Sequence, residues 1–571
     1  MKKTLLLQTT LNYFNMKKLI LSLVILVMAA SLTAQVSVWD GSYEELDISN
    51  GKGETEDNPI LIENAAQLAH FSSLFFCNGD YEYKYYRLTT DVDLNNMEWQ
   101  SIGGANPAIS CDGFYGYFDG DNHTIYKLTS PLFHNCYGYI KNVTVKESTI
   151  NESGTIWMGV IAVHGTNDMG IIENCHNYAD INVELEPDFM QVSDIYIGGI
   201  VGTETIIRNC TNHGNIHISG TNENGILHVG GITGDYGAGD ELFSSHNYGD
   251  IVINDCEINE ALVGGISAKA YNMSCCSNHG NIDVDITITD ANSADYAIKC
   301  GGISGTTIYK GMRISYCYNN GDVSVNVNGD TERKAVCGGI IGNSRYGTSD
   351  DATEISNCYN TGLVSANNNN GSSFAGGIVG IAESNQEDEL TDLKITSCYN
   401  AANLDAKTTA GIIAMVEENT IAEADNCFMA DYNDNGGYGE TLSTDFMKTD
   451  EFVAMLNKYG KFFKKDVEPF ANDGYPVLDY SSVNAVISVD ETSEINIEIY
   501  PNPARDFIKL SAVSGQRSAV RVYNTLGMLV EEFEMQSNEI EINVSDYKSG
   551  MYFINISTDN GDTFTEKVVV R

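Results

Sequence analysis

Between Cys175 and Phe428 apolar and polar residues alternate in short runs broken by turn pairs such as Asn-Gly and Gly-Asp. Ile216-His-Ile-Ser and Val323-Ser-Val-Asn-Val are two such runs. A period of two is that of a half-buried strand, and the glycine pairs are turns. A second pattern overlies the first. The phrase Cys-x-Asn-x-Gly-x-apolar is written eight times, beginning at Cys175, Cys210, Ser245, Cys276, Cys317, Cys358, Cys398 and, in decayed form, Cys427. Its mean period is about 36 residues, the length of one unit of a solenoid or array. A glycine strand precedes most copies, with Gly-Gly pairs opening at Gly198, Gly230, Gly264, Gly301, Gly338 and Gly376 and a degenerate Ala-Gly at Ala410. Three short strands per unit predict an all-β chain built on a parallel β-helix. The longer inserts, such as 344–355 and 383–393, are expected as loops on one side.

The flanks read differently. In Asn64-Ala-Ala-Gln-Leu-Ala-His-Phe the apolar residues fall at helical spacing, which predicts a short helix closing an open end of the stack. Leu132 onward reads as the first full coil. A second helix is expected from Asp450 to Lys458, capped by Thr449 and placed over the solenoid's exit. Residues 495–571 hold seven short strand patterns with turns such as Asn560-Gly561, the pattern of a small β-sandwich. The expected domains are an N-terminal cap with the first coils (35–155), repeats (156–439), a C-terminal solenoid cap (440–486), a linker (487–494) and the sandwich (495–571).

Residues 1–34 read as a signal peptide. Met16-Lys-Lys opens a basic region, Leu19 to Ala30 is apolar, and Leu32-Thr33-Ala34 is a small-residue cleavage site. Met16 is an alternative start to Met1. No later stretch has the length of a membrane span, so no transmembrane segment is expected in the mature chain.

With 32 Lys and Arg against 78 Asp and Glu, the net charge is −46. That balance excludes nucleic acid as a partner. It leaves a solvated acidic surface or binding of a divalent cation such as calcium. Asp431-Tyr-Asn-Asp-Asn-Gly resembles part of a calcium loop without its terminal Glu. No other cofactor is expected.

Stacked coils turn each repeated position into a column at the strand spacing, about 4.8 Å. Asn177, Asn212, Asn247, Asn278, Asn319, Asn360 and Asn400 form an inward structural column of amides. The cysteines form another, expected as buried free thiols because stacked Cβ vectors run parallel. Outward, Tyr178, His213, Tyr248 and His279 make one stripe, and Tyr318, Tyr359, Tyr399 and Phe428 continue beside it. Such stripes either bind sugar rings or stiffen the sheet. Catalytic residues are not assigned. The nearest carboxylate pairs, Asp91/Asp93 and Asp119/Asp121, sit in the entry region, where a glycosidase pair would be sought.

Two family resemblances follow. Gly-Gly-Ile-Val-Gly with Asn-Cys-Tyr-Asn-Thr-Gly, from Gly159 to Tyr432, resembles the GLUG repeats of bacterial surface proteins, which include adhesins. That resemblance implies a β-helix and adhesion and defines no catalytic residue. From Ile495 the chain resembles the type IX secretion sorting domain of Bacteroidetes. Pro501, Asn502 and Pro503, then Asn524-Thr-Leu-Gly, Gly550, Tyr552 and Lys567 carry that likeness in order. It implies the type IX secretion machinery as a partner, and surface attachment or release. The combined expectation is a secreted cell-surface adhesin or a glycan- or protein-binding module, its partners glycans or host or neighbouring-cell proteins. A polysaccharide-degrading β-helix enzyme and a structural surface-layer protein are the alternatives.

Overall fold

The computed structural model describes residues 36–482 and 498–570. Left out of the first are 75–80, 82, 105–112, 166–169, 188–193, 204, 236–240, 289–296, 308–310, 330–331, 346–350 and 385–390. Left out of the second are 501–503, 506, 512–517, 525–528, 536–538, 546, 549 and 559–562. The signal peptide, the linker and Pro501, Asn502 and Pro503 lie outside the described residues. The chain divides into two compact units, 1–479 and 480–571.

The first unit is a parallel β-helix. One coil, that of Cys210, shows the construction. Ile206–Arg208 runs first, Thr211–Asn212 second, Ile216–Gly230 third, and a short bridge at Thr233 turns back toward the next coil. Equivalent strands pair in parallel into sheets of 12, 13, 14 and, at the fourth position, five strands among the described residues. A coil thus has four strand positions, the third split in most coils into two strands such as Val323–Asn328 and Lys334–Gly338, rather than the three strands expected. The missed one, such as Ile206–Arg208 or Thr353–Ser356, has three or four residues and buries a single large apolar side chain, Ile207 or Ile355. A run that short gives no alternation to detect. It also takes up part of both segments expected to be loops. Stacking begins before Leu132, at Ser37–Val38 and Ile60–Ile62.

Local sequence sets each corner. The residue before each Cys has positive φ, from Asn174 (51°) and Asn209 (54°) to Asn426 (54°). Asn tolerates that region better than most residues, which accounts for its recurrence there. The Asn column is continuous. Each side-chain amide donates to the next coil's Asn, at 2.7 Å from Asn177 to Asn212 and 2.9 Å from Asn360 to Asn400. Each also donates to a carbonyl two residues on, as Asn278 does to Gly280 O at 2.8 Å. The Gly-Gly pairs face this column across the core. A Cβ on Gly265 would lie 2.3 Å from Asn278 Cγ, and one on Gly264 would lie 2.0 Å from Ser267 O. The two repeated phrases therefore require one another. Beside them runs an alternating ladder in which a side chain accepts the next coil's backbone N–H: Asp180 to Asn215, Asn215 to Asp250, Asp250 to Asn281, Asn281 to Asp322. Alternating Asp with Asn keeps like charges off adjacent rungs.

The core runs unbroken from Trp39 to Met429 and includes the Cys column, whose thiols are free and buried. Helix Ala65–Ser72, capped by Asn64 accepting from Gln67 N at 2.9 Å, packs Phe71 onto Tyr86, Phe114 and Phe118 at the first coils. Helix Asp450–Leu456, capped by Thr449, lies against the last coil, where Asn426 Nδ2 donates to Met455 O at 3.0 Å and Leu456 O at 3.3 Å. Its Phe452 packs edge-on against outward-facing Tyr399 and Phe428, while Gly439, in the loop after Tyr432, approaches Met429 and Ile412.

The second unit has seven strands in antiparallel sheets of three and four, around Ile508, Leu510, Val520, Val522, Ile542, Ile554 and Val568. Gly550 opens strand Gly550–Thr558, Tyr552 donates to Lys548 O at 2.9 Å, and Lys567 pairs with Phe553 across the final strand.

Candidate binding cleft

The predicted aromatic stripes are real columns, but their geometry changes what they offer. Tyr178, His213, Tyr248 and His279 stack face to face with centroids 4.2, 4.6 and 4.7 Å apart and planes within 7° of parallel. Each ring face is covered by its neighbour, and the Lys146 ammonium lies 4.8 Å over the outer face of Tyr178. Ring edges, not faces, meet solvent along this stripe. Tyr318, Tyr359 and Tyr399 stack likewise at 4.8 and 5.0 Å. The expectation that they are exposed fails at Tyr359 and Tyr399, which are buried. The C-terminal segment covers them: the Tyr399 hydroxyl donates to Pro476 O and accepts from Asn472 Nδ2. That segment carries no repeat signature, so its docking site was not readable from the column.

Histidines beside the stripe are held neutral. His246 is pushed down to about 4 by burial, with His279 adding to the effect, and its Nδ1 lies 2.7 Å from Ser277 Oγ. Above an ordinary histidine pKa of about 6.5 the folded and unfolded chains are both neutral there. Between that value and about 4 the unfolded chain takes up a proton that the folded chain refuses, so stability falls as pH drops. Urea midpoints measured across this window should fall less steeply for His246→Gln than for the wild type.

The carboxylate pairs of the entry region are engaged in structure. Asp91 meets His123 Nδ1 at 2.9 Å and the Thr124 N–H, and Asp93 meets Lys127 at 2.6 Å and the Asn95 N–H. Asp119 lies between Arg87 and Lys141 and accepts from Asp121 N and Asn142. In the loop resembling a calcium site, Asp434 and Asn435 accept from Gly436 N and Gly437 N as turn residues do. Among the described residues no three His, Cys, Asp or Glu side chains gather to hold a metal.

A different constellation was missed. Where the Gly-Gly pair bends the chain, outward side chains of the third and fourth strand positions face a shared concave corner. The sign is burial on the wrong side of the sheet: His228, Lys299, Leu262 and Val336 all alternate with core residues, yet all are buried. Val336, Ile381 and Phe374 make a small apolar cluster here, apart from the main core. In register the third-position column reads Trp157, Tyr196, His228, Leu262, Lys299, Val336, Phe374. The first five rungs span roughly 19 Å along the axis.

The polar rungs interlock. Tyr196 and His228 stack at 4.5 Å, and Lys269 Nζ lies 5.4 Å from the Tyr196 ring and 3.2 Å from Asp235. The Tyr196 hydroxyl donates to Asp194 Oδ2 at 3.4 Å; His228 Nε2 is 3.6 Å from the same oxygen. Among the described residues neither ring nitrogen of His228 has a hydrogen-bond partner, and its side chain is fully buried. Burial pushes the His228 pKa down, against the pull of Asp194, so the imidazole is neutral. His228 and the Ile226 N–H hold Asp194 at about 2. Further along, Glu383 accepts from Asn343 at 2.7 Å and pairs with Lys299 at 3.3 Å and Arg345 at 3.6 Å. Burial alone would raise the Glu383 pKa; Lys299, Asn343 and Arg345 outweigh it and lower it. Glu260, on the same face, is raised by burial. Lys334 pairs with Glu417.

Four of the ten Lys and Arg between Gly159 and Met429 are gathered here: Lys269, Lys299, Lys334 and Arg345. A signal existed in the sequence. The residue two before each Gly-Gly pair is Tyr196, His228, Leu262, Lys299, Val336 and Phe374, so ionisable and apolar residues share one column.

Residues 498–571 match the secretion system C-terminal sorting domain. The chain is therefore exported to the cell surface or extracellular space, and its tail engages the type IX secretion machinery. Two curated proteins are similar over part of the chain. Ulvan lyase NLR42 of Nonlabens ulvanivorans is 29% identical over 116 residues, 20% of this chain and 22% of that protein. An endo-acting ulvan lyase of Formosa agariphila is 28% identical over 88 residues, 15% and 17% of the two chains. This chain thus matches about a fifth of the length of each. A solved structure of PorZ, an essential bacterial surface component of the type-IX secretion system of Porphyromonas gingivalis, is 22% identical over 14% of this chain and 12% of that one. Its TM-score is 0.13 and it carries no structural argument.

Proposed function

We propose that this exported β-helix binds polysaccharide, and that the polymer lies along the concave cleft from Trp157 to Lys299. One observation carries the reading. His228 is fully buried with an unpartnered ring nitrogen at a column position that Val336 and Phe374 fill with apolar side chains in later coils. A buried polar group without a partner costs about 1–3 kcal/mol, and such exceptions to local rules concentrate at functional sites. The column presents rings and mixed donors and acceptors over about 19 Å, the chemistry of a site for a linear, hydroxyl-rich chain. Cell adhesion through such a ligand rests on the resemblance to surface-protein repeats.

Cleavage of the polymer is the second reading. It is favoured by the gathering of ionisable groups around Asp194, whose Oδ2 lies 3.4 Å from the Tyr196 hydroxyl and 3.6 Å from His228 Nε2. The names of the two lyase relatives point the same way, over a fifth of the chain. The test uses the full mature chain and a panel of uronate-bearing, sulfated and neutral polysaccharides, with and without calcium. Saturable binding is expected to at least one polymer, weakened about tenfold or more by Lys269→Ala, the loss of one charge-assisted contact. His228→Gln should weaken it comparably, with circular dichroism unchanged. Equal binding by wild type and both variants, or none to any polymer, overturns the cleft. Release of shorter products, monitored by mass spectrometry, selects cleavage over binding alone.

A further inference from the structure

A second groove lies on the flank of the first coils, on the first strand position. In register, one outward column there reads Tyr85, Tyr117, Tyr139 and the next reads Arg87, Asp119, Lys141, Glu173, Arg208. The second column alternates in charge at every rung. The fold does not need this alternation, because the same column continues as Phe243, Ser274, Ser315, Ser356 and Thr396 in later coils. A structural ladder would also leave no hollow. Here Tyr85, Tyr117, Tyr139, Arg87, Asp119 and Lys141 border a groove of about 130 Å³, closed on one side by Pro59 and Glu56. Glu56 comes from the segment before the first of these strands and reaches Lys141 at 2.7 Å, bracing the wall.

From this arrangement we infer a second saccharide site, taking a single neutral sugar ring. Size sets the first limit. At about 130 Å³ the groove is close to the roughly 150 Å³ of an apolar cavity that holds one benzene, the scale of one ring and not of a peptide segment. Charge sets the second. Glu56 and Asp119 match Arg87 and Lys141 in number, so no excess cation is present to hold a phosphate, sulfate or uronate. Donors and acceptors instead alternate about 4.8 Å apart, and each hydroxyl of a neutral sugar both donates and accepts. The rings add the apolar wall. Tyr85 and Tyr117 stack at 4.3 Å with planes 9° apart, so their edges face the groove as one surface, and Tyr117 stays exposed. Arg87 Nε has no hydrogen-bond partner among the described residues, Asp119 Oδ2 lying 3.7 Å away. The site is separate from the concave cleft and does not depend on it.

The experiment titrates the full mature chain with neutral mono- and disaccharides by calorimetry and follows hydrogen exchange of peptides covering 85–88, 117–119 and 139–141. Protection of those peptides is expected on saturation with at least one sugar. Tyr117→Ala and, as a milder change, Lys141→Met should each weaken binding about tenfold, while Lys269→Ala in the cleft leaves it unchanged. Protection confined to the cleft strands, binding abolished by Lys269→Ala and untouched by Lys141→Met, or no binding of any neutral sugar overturns this site. The first two of those results leave the cleft standing. Binding here with none in the cleft would overturn the cleft alone.

Discussion

Asn278→Ala should lower the stability of the β-helix unit by about 3 kcal/mol or more, although the side chain touches no solvent. The substitution removes three things together. Asn247 loses the acceptor for its amide at 2.8 Å, Asn319 loses its donor at 2.8 Å, and Gly280 O loses the 2.8 Å bond that closes the corner. All of these groups are buried, and each one left unpaired costs about 1–3 kcal/mol. Gly265→Ala attacks the same rung from the opposite wall, placing a Cβ 2.3 Å from Asn278 Cγ and 2.2 Å from Gly302 O. It should disrupt stacking more severely, since backbone cannot move aside at that distance. In the double variant the amide clash is gone while the clash with Gly302 O remains. Its loss should therefore be smaller than the sum of the two. Hydrogen exchange is the suitable readout, because a stack of repeats loses order locally as well as globally. Faster exchange should begin at the coils of Asn247, Asn278 and Asn319. Unchanged exchange there in Asn278→Ala would remove the ladder from the account of stability.

That ladder was legible in the sequence because it combines a fixed spacing with residue types that have one common use. Cys-x-Asn and Gly-Gly recur because each position is hemmed in on every side, by the amide of Asn278 against Gly265 for example. The concave cleft was not legible by the same logic. Its residues occupy positions that alternation assigns to solvent, and only the bend at the Gly-Gly pair turns Tyr196 and His228 back toward Asp235 and Lys269. A bend of that kind depends on how two strand positions meet, which residue spacing alone does not encode. The aromatic stripes show the converse. Recurrence revealed Tyr178, His213, Tyr248 and His279 correctly as a column, yet column spacing itself presses the rings together and closes the faces that would receive a sugar. Tyr359 and Tyr399 were lost to view because the segment covering them, with Asn472 and Pro476, obeys no repeat.

Removing residues 498–571 should abolish display at the cell surface while leaving the β-helix folded. The two units have separate cores. The cluster of the first unit ends at Met429, and the cluster of the second, from Ala504 to Val570, shares no residue with it. The matched sorting domain coincides with that second unit, so the address and the cleft belong to different pieces of the chain. The truncated protein should accumulate inside the outer membrane in protease-resistant form, with the β-sheet circular dichroism of the parent. A point variant sharpens the test. Ile554→Asp places a charge at a fully buried position between strands Ser518–Asn524 and Thr563–Val570, which should unfold the tail alone. It should mislocalise as the deletion does. Fractionation with antibody to the β-helix reads both variants. Surface levels equal to wild type for the deletion would show that export does not depend on this unit. Loss of export together with loss of protease resistance would instead mean that the β-helix needs the tail to fold.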